Sequence, residues 1–430
     1  MTAEIAILNK SGIALAADSA VTIGDQKVYN SANKLFTLSK YQPVGIMVYD
    51  SADLMGIPWE LIIKEYRAIL GDRAFDSLEE YAADFWRYLA SNRDVVPTDI
   101  RNEYREILID TFLSILYNRL DSNVETLIKE GADVTLESTK EIFKDVLDES
   151  EAFLRSTSFV ENADEESIRA IREEYRGALE ALVHSKFGEL FLLLDSDFKE
   201  RIYSQLAEIC VRERYILKTS GVVIAGYGKL DIFPKIASYF VEGITDALIK
   251  KSFNAGKSNV QHSGFATFIV PFAQDEMVWT FLQGIDPEIS AFASSYLDDV
   301  FKQYAKALDS NSLGIDEETM ARVQEQIAAD STALLETFKN DLAQFQRDNN
   351  TQPILDMVGV LPKDELAAMA ESLVNLTVFK RKISKSVETV GGPIDVAIIS
   401  KGDGFVWVKR KHYFKPELNQ HFFANYYRGK

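Results

Sequence analysis

The sequence holds one cysteine, Cys210, and four histidines, His184, His262, His412 and His421, in 430 residues. A lone cysteine cannot close an internal disulfide, and the histidines share no metal-ligand spacing, so disulfide scaffolds and Cys/His zinc sites are excluded. Basic residues are scarce: 47 Lys and Arg stand against 66 Asp and Glu, for a formal charge of -19. Phosphate binding relies on a positive surface that such a chain would have to concentrate against its own field, so no nucleic-acid partner is expected. No apolar run approaches the roughly 18 residues of a membrane span, and MTAEIAILNKSG has neither the basic nor the long apolar region of a secretory signal. The expectation is a soluble cytoplasmic protein with no membrane partner, no metal and no cofactor. Internal repeats and low-complexity tracts are also missing. What is present is ordinary globular composition, 47% hydrophobic and 26% charged, on a chain of roughly two to three average domains.

Apolar residues over the first fifty positions follow strand spacing, at Ala3 to Leu8, Ile13 to Ala17, Leu35 to Leu38 and Val44 to Val48, with Lys10-Ser11-Gly12 as the first turn. From Ala52 the pattern becomes amphipathic helix, and between Gly71 and Lys218 nearly everything is helical with carboxylate-rich faces. Strand character returns at GVVIAGYGK, KIASYFV, GFATFIVPF and MVWTFLQG (Met277 to Gly284). A second helical block runs from Pro287 to about Ser384, interrupted by the polar, loose stretch RDNNTQP, and the chain closes with the strands PIDVAIIS and GFVWVKRK. Strands, helices, strands, helices, strands fit two sheets between helical layers better than alternating βαβ units.

The chemistry concentrates in the first fifty residues. Thr2 follows the initiator methionine, and a small residue there permits Met1 removal, which leaves a threonine with a free α-amine. A threonine hydroxyl is a poor nucleophile alone, but an α-amine of pKa near ~8 can accept its proton, so one residue carries nucleophile and base. Asp18, at the end of the second strand of the hairpin, folds back beside Thr2, and Lys34 lies at the entry to the third strand. A lysine held by an aspartate next to the amine stays protonated, and its field disfavours a second positive charge.

The segment TAEIAILNKSGIALAADSAVTIG followed by SANKLFTL resembles the start of mature proteasome β-type subunits, including the bacterial ring peptidase that works with an unfoldase. Counted from Thr2, Asp18 and the Ser19 after it, Thr22, Gly24 and Lys34 fall at that family's spacing without a gap. VGIMVYDSADLMGIPWELI resembles the next strand and helix, where Tyr49 stands at the position of the glycine whose amide supplies the oxyanion hole, and Asp50 at the next. GVVIAGYGKLDIFPKIASYFVEG and VGGPIDVAIISKGDGFVWVKR are similar to the family's later hairpin and strand pair. The family's late Asp and Ser correspond to Val387 and Val390, with Ser386 and Glu388 as flanking substitutes, and its amine-orienting serine has Ser263 as a candidate while the alignment places Met277 at that position.

The resemblance implies an α+β fold, a four-layer αββα sandwich of the N-terminal-nucleophile hydrolase class, formed by residues 1–70, 219–286 and 361–430 and enlarged by helical insertions at 71–218 and 287–360. It implies hydrolysis of a peptide or other amide bond by Thr2, with Asp18 and Lys34 tuning the site and the Tyr49 amide steadying the oxyanion. Substrate would pair near Val21 and Thr22, with Ala32, Met47 and Ser51 around the specificity pocket. The partners implied are a peptide or amide substrate, further copies of the chain in a homo-oligomer, and an unfoldase or other protein that delivers substrate. A small-molecule amidase or acylase of the same fold, and an inactive ring or binding protein, are the alternatives. Other features read plainly. Gly226-Tyr227-Gly228 is a strand-end turn, Lys409-Arg410-Lys411 a solvated face or subunit contact, and adjacent pairs such as Glu79-Glu80 solubilising surface.

Overall fold

A computed structural model describes residues 2–23, 27–131, 133–188, 194–260, 266–308, 314–383 and 390–427. Strands come first: β1 (Ala3–Asn9), β2 (Gly12–Ala17), β3 (Val21–Ile23), β4 (Lys27–Tyr29), β5 (Leu35–Thr37), β6 (Val44–Asp50), and the short β7 (Asp53–Leu54) and β8 (Ile57–Pro58). Helices α1 (Trp59–Leu70), α2 (Leu78–Ser91), α3 (Thr98–Lys129), α4 (Leu136–Arg155), α5 (Glu165–Glu174), α6 (Arg176–Phe187) and α7 (Ser196–Glu208) follow. Next are strands β9 (Ser220–Gly226), β10 (Lys235–Thr245), β11 (Leu248–Phe253) and β12 (Phe268–Ala273). Helices α8 (Glu276–Gln283), α9 (Pro287–Ala307), α10 (Glu317–Gln346), α11 (Gln352–Val358) and α12 (Lys363–Ile383) lead to β13 (Asp395–Ser400), β14 (Gly404–Lys409) and α13 (Gln420–Tyr427). The architecture is mixed α+β, with two antiparallel five-stranded sheets. Among the described residues no helix is long and apolar enough to cross a membrane.

The chain divides into two compact units, Met1–Leu35 with Ser263–Lys430, and Phe36–His262. The first holds the sheet ordered β12-β1-β2-β13-β14. Every residue of β1, β2 and β13 is buried, so these strands read as nearly continuous apolar runs rather than as alternating ones. One face, with Ala3, Ile5, Ile7, Ala14, Ala16, Val396 and Ile398, packs on the Leu366, Ala370, Leu373 and Val374 stripe of α12 and on Val278 and Leu282 of α8. Burying a Leu or Val side chain contributes about 1.5–3 kcal/mol, so this cluster is a main source of the unit's stability.

Two sequence expectations are corrected here. Met277 to Gly284 is not a strand: residues Glu276–Gln283 form α8. Val278 and Leu282, four apart, bury one face, and Gly284 ends the helix in the left-handed region at φ 75°. The stretch RDNNTQP is not a loose interruption but a π-helical turn, Arg347–Thr351, running into α11. Its Asn350 and Thr351 side chains donate to the carbonyls of Gln283 and Leu282 at 2.8 and 3.0 Å, satisfying acceptors at the end of α8 that the helix itself cannot pair.

The second unit holds the sheet ordered β11-β10-β9-β6-β5. Val44, Ile46, Val48, Val222 and Ile224 of this sheet pack against Trp59, Ile62, Ile63 and Tyr66 of α1 and against Tyr81, Phe85 and Leu89 of α2. Helices α3 to α7 enclose a further core, centred on Leu108, Phe112, Leu116, Phe143, Leu147, Val183 and Leu206. The hairpin β10-β11, whose second strand the sequence reading did not separate, carries a bulge between Val241 and Gly243. That bulge turns the Glu242 carboxylate toward Tyr104 of α3 and the amides of Ile216 and Leu217, which donate to it at 2.8, 2.7 and 2.9 Å.

Candidate active site

The β1-β2 register sets Glu4 opposite Ala17, and the pairing continues one step beyond the strands. The Asp18 amide donates to the Ala3 carbonyl at 3.1 Å, and the Ala3 amide donates to Asp18 Oδ1 at 3.2 Å. On the other side the Gln274 amide donates to the Thr2 carbonyl at 3.1 Å. Residue 2 is thereby fixed between the ends of β2 and β12. Ala273, which sets up the second contact, has φ 55°, a left-handed conformation that costs a non-glycine residue about 1–2 kcal/mol.

Lys34 Nζ lies 2.5 Å from Asp18 Oδ1 and 3.4 Å from Glu4 Oε1. All three side chains are buried, and Thr2 is 3% exposed. Asp18 Oδ2 accepts from the amides of Ala20 and Gly391, at 3.3 and 2.8 Å. The Gly391 contact depends on the next residue: Gly392 has φ 78°, and a Cβ there would lie 2.7 Å from Asn30 Cβ, so the turn accepts only glycine. Ser19 clamps the same turn, its amide donating to the Gly391 carbonyl at 3.1 Å and its hydroxyl to the Pro393 carbonyl. The Ala32 amide donates to the Ser19 carbonyl at 3.0 Å, which ties in the segment carrying Lys34.

The cluster sets two buried carboxyl groups on one ammonium. Burial, the largest influence, and the nearby Asp18 raise the Glu4 carboxyl, the Lys34 charge and the hydrogen-bonding side chains of Thr2 and Lys34 lower it, and together they leave it pushed up to about 8. At neutral pH Glu4 is therefore mostly protonated, which spares the site an uncompensated buried charge. The sequence reading singled out Thr2, Asp18 and Lys34 but missed Glu4. The available signal was period two: residues 2 and 4 share a face of an extended strand, and Glu4 is the one charged residue in an otherwise apolar run. Among the described residues no group of three or more His, Cys, Asp or Glu could hold a metal ion.

Other sequence candidates lie elsewhere. Val21 is half-buried in β3 opposite Tyr29, Thr22 stands opposite Val28, and Ala32 is half-buried. Met47, Tyr49 and Ser51 belong to the second unit and are buried there. Tyr49 pairs with Gly221 across β6 and β9, and its ring occupies the space a side chain at 221 would need, a Cβ there falling 1.9 Å from the ring. Ser51 Oγ donates to the Asp53 carbonyl at 2.8 Å, closing a local turn. Ser263, Ser386 and Glu388 lie outside the described residues.

No family model matches the chain, and no curated protein matches it. Among solved structures the chain is similar to Anbu (ancestral beta-subunit) from Yersinia bercovieri, at 10% identity and a TM-score of 0.27, with 100% of this chain and 97% of that chain covered. At that TM-score the functional reading rests on the site's own geometry.

Proposed function

We propose that the chain is a threonine-type N-terminal-nucleophile hydrolase that cleaves a peptide or other amide bond. The observation that carries this reading is the convergence of Asp18, Lys34 and Glu4 at residue 2, fixed by backbone contacts on both sides. Removal of Met1 exposes the Thr2 amine. Thr2 Oγ then attacks the substrate carbonyl, a base at the site takes the hydroxyl proton, the C–N bond breaks, and water releases the acyl group from the threonine ester. Lys34, held by Asp18, favours the uncharged amine and stabilises developing negative charge. The resemblance adds the Tyr49 amide as oxyanion donor, Val21 and Thr22 as the strand that pairs with substrate, and Ala32, Met47 and Ser51 as specificity residues. It also adds the four-layer sandwich assembled from residues 1–70, 219–286 and 361–430.

Thr2→Ala is expected to abolish turnover of a fluorogenic peptide library, and Lys34→Ala to reduce kcat/KM by at least ~100-fold. Turnover like the wild type in Thr2→Ala would refute the mechanism. A small-molecule amidase of the same fold is the second reading, and assaying small amides and peptides side by side decides between amidase and peptidase.

A further inference from the structure

Glu4 is a carboxyl group for which the N-terminal resemblance assigns no role. It lies in β1, two residues on from Thr2. Its side chain is fully buried, and among the described residues no backbone amide donates to its oxygens. Its polar neighbours are the Thr2 side chain and, at 3.4 Å, the Lys34 ammonium. Asp18 faces it from the end of β2. From β12 it meets neutral residues: Phe272 is its register partner, and Gln274 lies beyond the strand end. Asp395 of β13, opposite Ala17, is paired with Lys411 instead.

We infer that Glu4 is a second base of this site, accepting the hydroxyl proton of Thr2; the inference rests on Thr2 being the nucleophile. As the Oγ–C bond forms, the Thr2 O–H bond breaks and its proton passes to a Glu4 carboxylate oxygen. As the C–N bond of the tetrahedral adduct breaks, the same proton passes to the leaving nitrogen and Glu4 returns to carboxylate. In deacylation Glu4 takes a proton from the attacking water and returns it to Thr2 Oγ. Asp18 is unsuited to this role because four N–H donors already occupy it. Glu4 is held near the pH at which a base combines availability with strength, about 8, by its burial.

The test is the pH dependence of Thr2 acylation by a β-lactone, followed by intact mass with the adduct mapped to its residue, in wild type, Glu4→Gln and Glu4→Asp. In the wild type the rate constant should rise with pH through a limb near 8. Glu4→Gln should lose about 100-fold in rate on the alkaline side, any limb that remains being that of the Thr2 amine, and Glu4→Asp should keep a displaced limb with about a 10-fold loss. A Glu4→Gln rate within about 3-fold of wild type, with the limb unmoved and the adduct still on Thr2, overturns the role of Glu4 and leaves the nucleophile standing. No adduct on Thr2 in the wild type overturns the nucleophile and this inference with it. Should Glu4→Gln not fold, the wild-type limb and its displacement in Glu4→Asp decide, and a wild-type rate that is flat across this range overturns the inference.

Discussion

Glu4 makes residue-scale chemistry visible in stability as well as in rate. Its carboxyl group has its ordinary value of 4.5 in the unfolded chain and is pushed up to about 8 by burial in the folded one. Between those values the folded state binds the proton that the unfolded state has released, so stability falls as pH rises through this window. The contribution is fully present below 4.5 and is lost by about 8. Glu4→Gln removes the titration, so urea unfolding should find the variant more stable relative to wild type at the alkaline end of that window than at the acid end. Equal differences at the two ends would show that Glu4 titrates alike in both states. Residues at this scale were legible where spacing speaks for chemistry. Thr2, Asp18 and Lys34 stand at intervals that a short hairpin brings together, and the structure joins Asp18 to Ala3 and Lys34 through backbone and ion-pair contacts. Glu4 was not legible because one acidic residue in a strand looks like an exposed position. Only the burial of both faces of β1 reveals that it has no water to point into.

At the scale of elements, buried polar ties decide whether the helices of the second unit keep their places. Arg101 near the start of α3 is fully buried and donates to the carbonyls of Leu89, Ala90, Asn92, Val96 and Asp246. Burial lowers its guanidinium to about 10, still high enough to keep the charge at neutral pH. It joins the end of α2, the start of α3 and the β10-β11 turn through one side chain. Arg101→Met would strand several buried acceptors, so a loss of at least about 3 kcal/mol is expected from urea unfolding. A loss below about 1 kcal/mol would mean that water replaces the guanidinium. Most elements could be read from periodicity, because long amphipathic helices and strands bounded by turns differ in period. Met277 to Gly284 could not: eight apolar-rich residues fit either period, and what selects the helix is tertiary, the packing of Val278 and Leu282 with α12 and the capping by Asn350 and Thr351. Likewise the polar RDNNT stretch became a π turn because its side chains found carbonyls 67 and 69 residues away.

At the scale of the whole molecule, the N-terminal hairpin is completed from the far end of the chain, Ile13 pairing with Ile399 in β13. Local pattern cannot announce such a pairing: PIDVAIIS was legible as a strand, but its partner β2 was not. The assembly state belongs to this scale too. Helix α9 exposes Ile289, Phe292, Tyr296, Val300 and Tyr304 at three- and four-residue spacings, an apolar stripe that a second copy of the chain would cover. With the resemblance to ring-forming subunits, this motivates the prediction of a homo-oligomer in light scattering, at a multiple of 48.5 kDa. A strict monomer would refute it and favour the small-amide hydrolase.

If Thr2, freed of Met1, is the nucleophile, it reacts with a peptide epoxyketone. That reagent closes a ring through both the hydroxyl and the α-amine of a terminal threonine, so one product reports the nucleophile and the exposed amine together. Intact mass should show a protein lighter than the full sequence by one methionine and heavier by one reagent, with the adduct mapped to Thr2 and absent from Thr2→Ala. A chain that retains Met1, or an adduct on any other residue, would contradict Thr2 as the nucleophile.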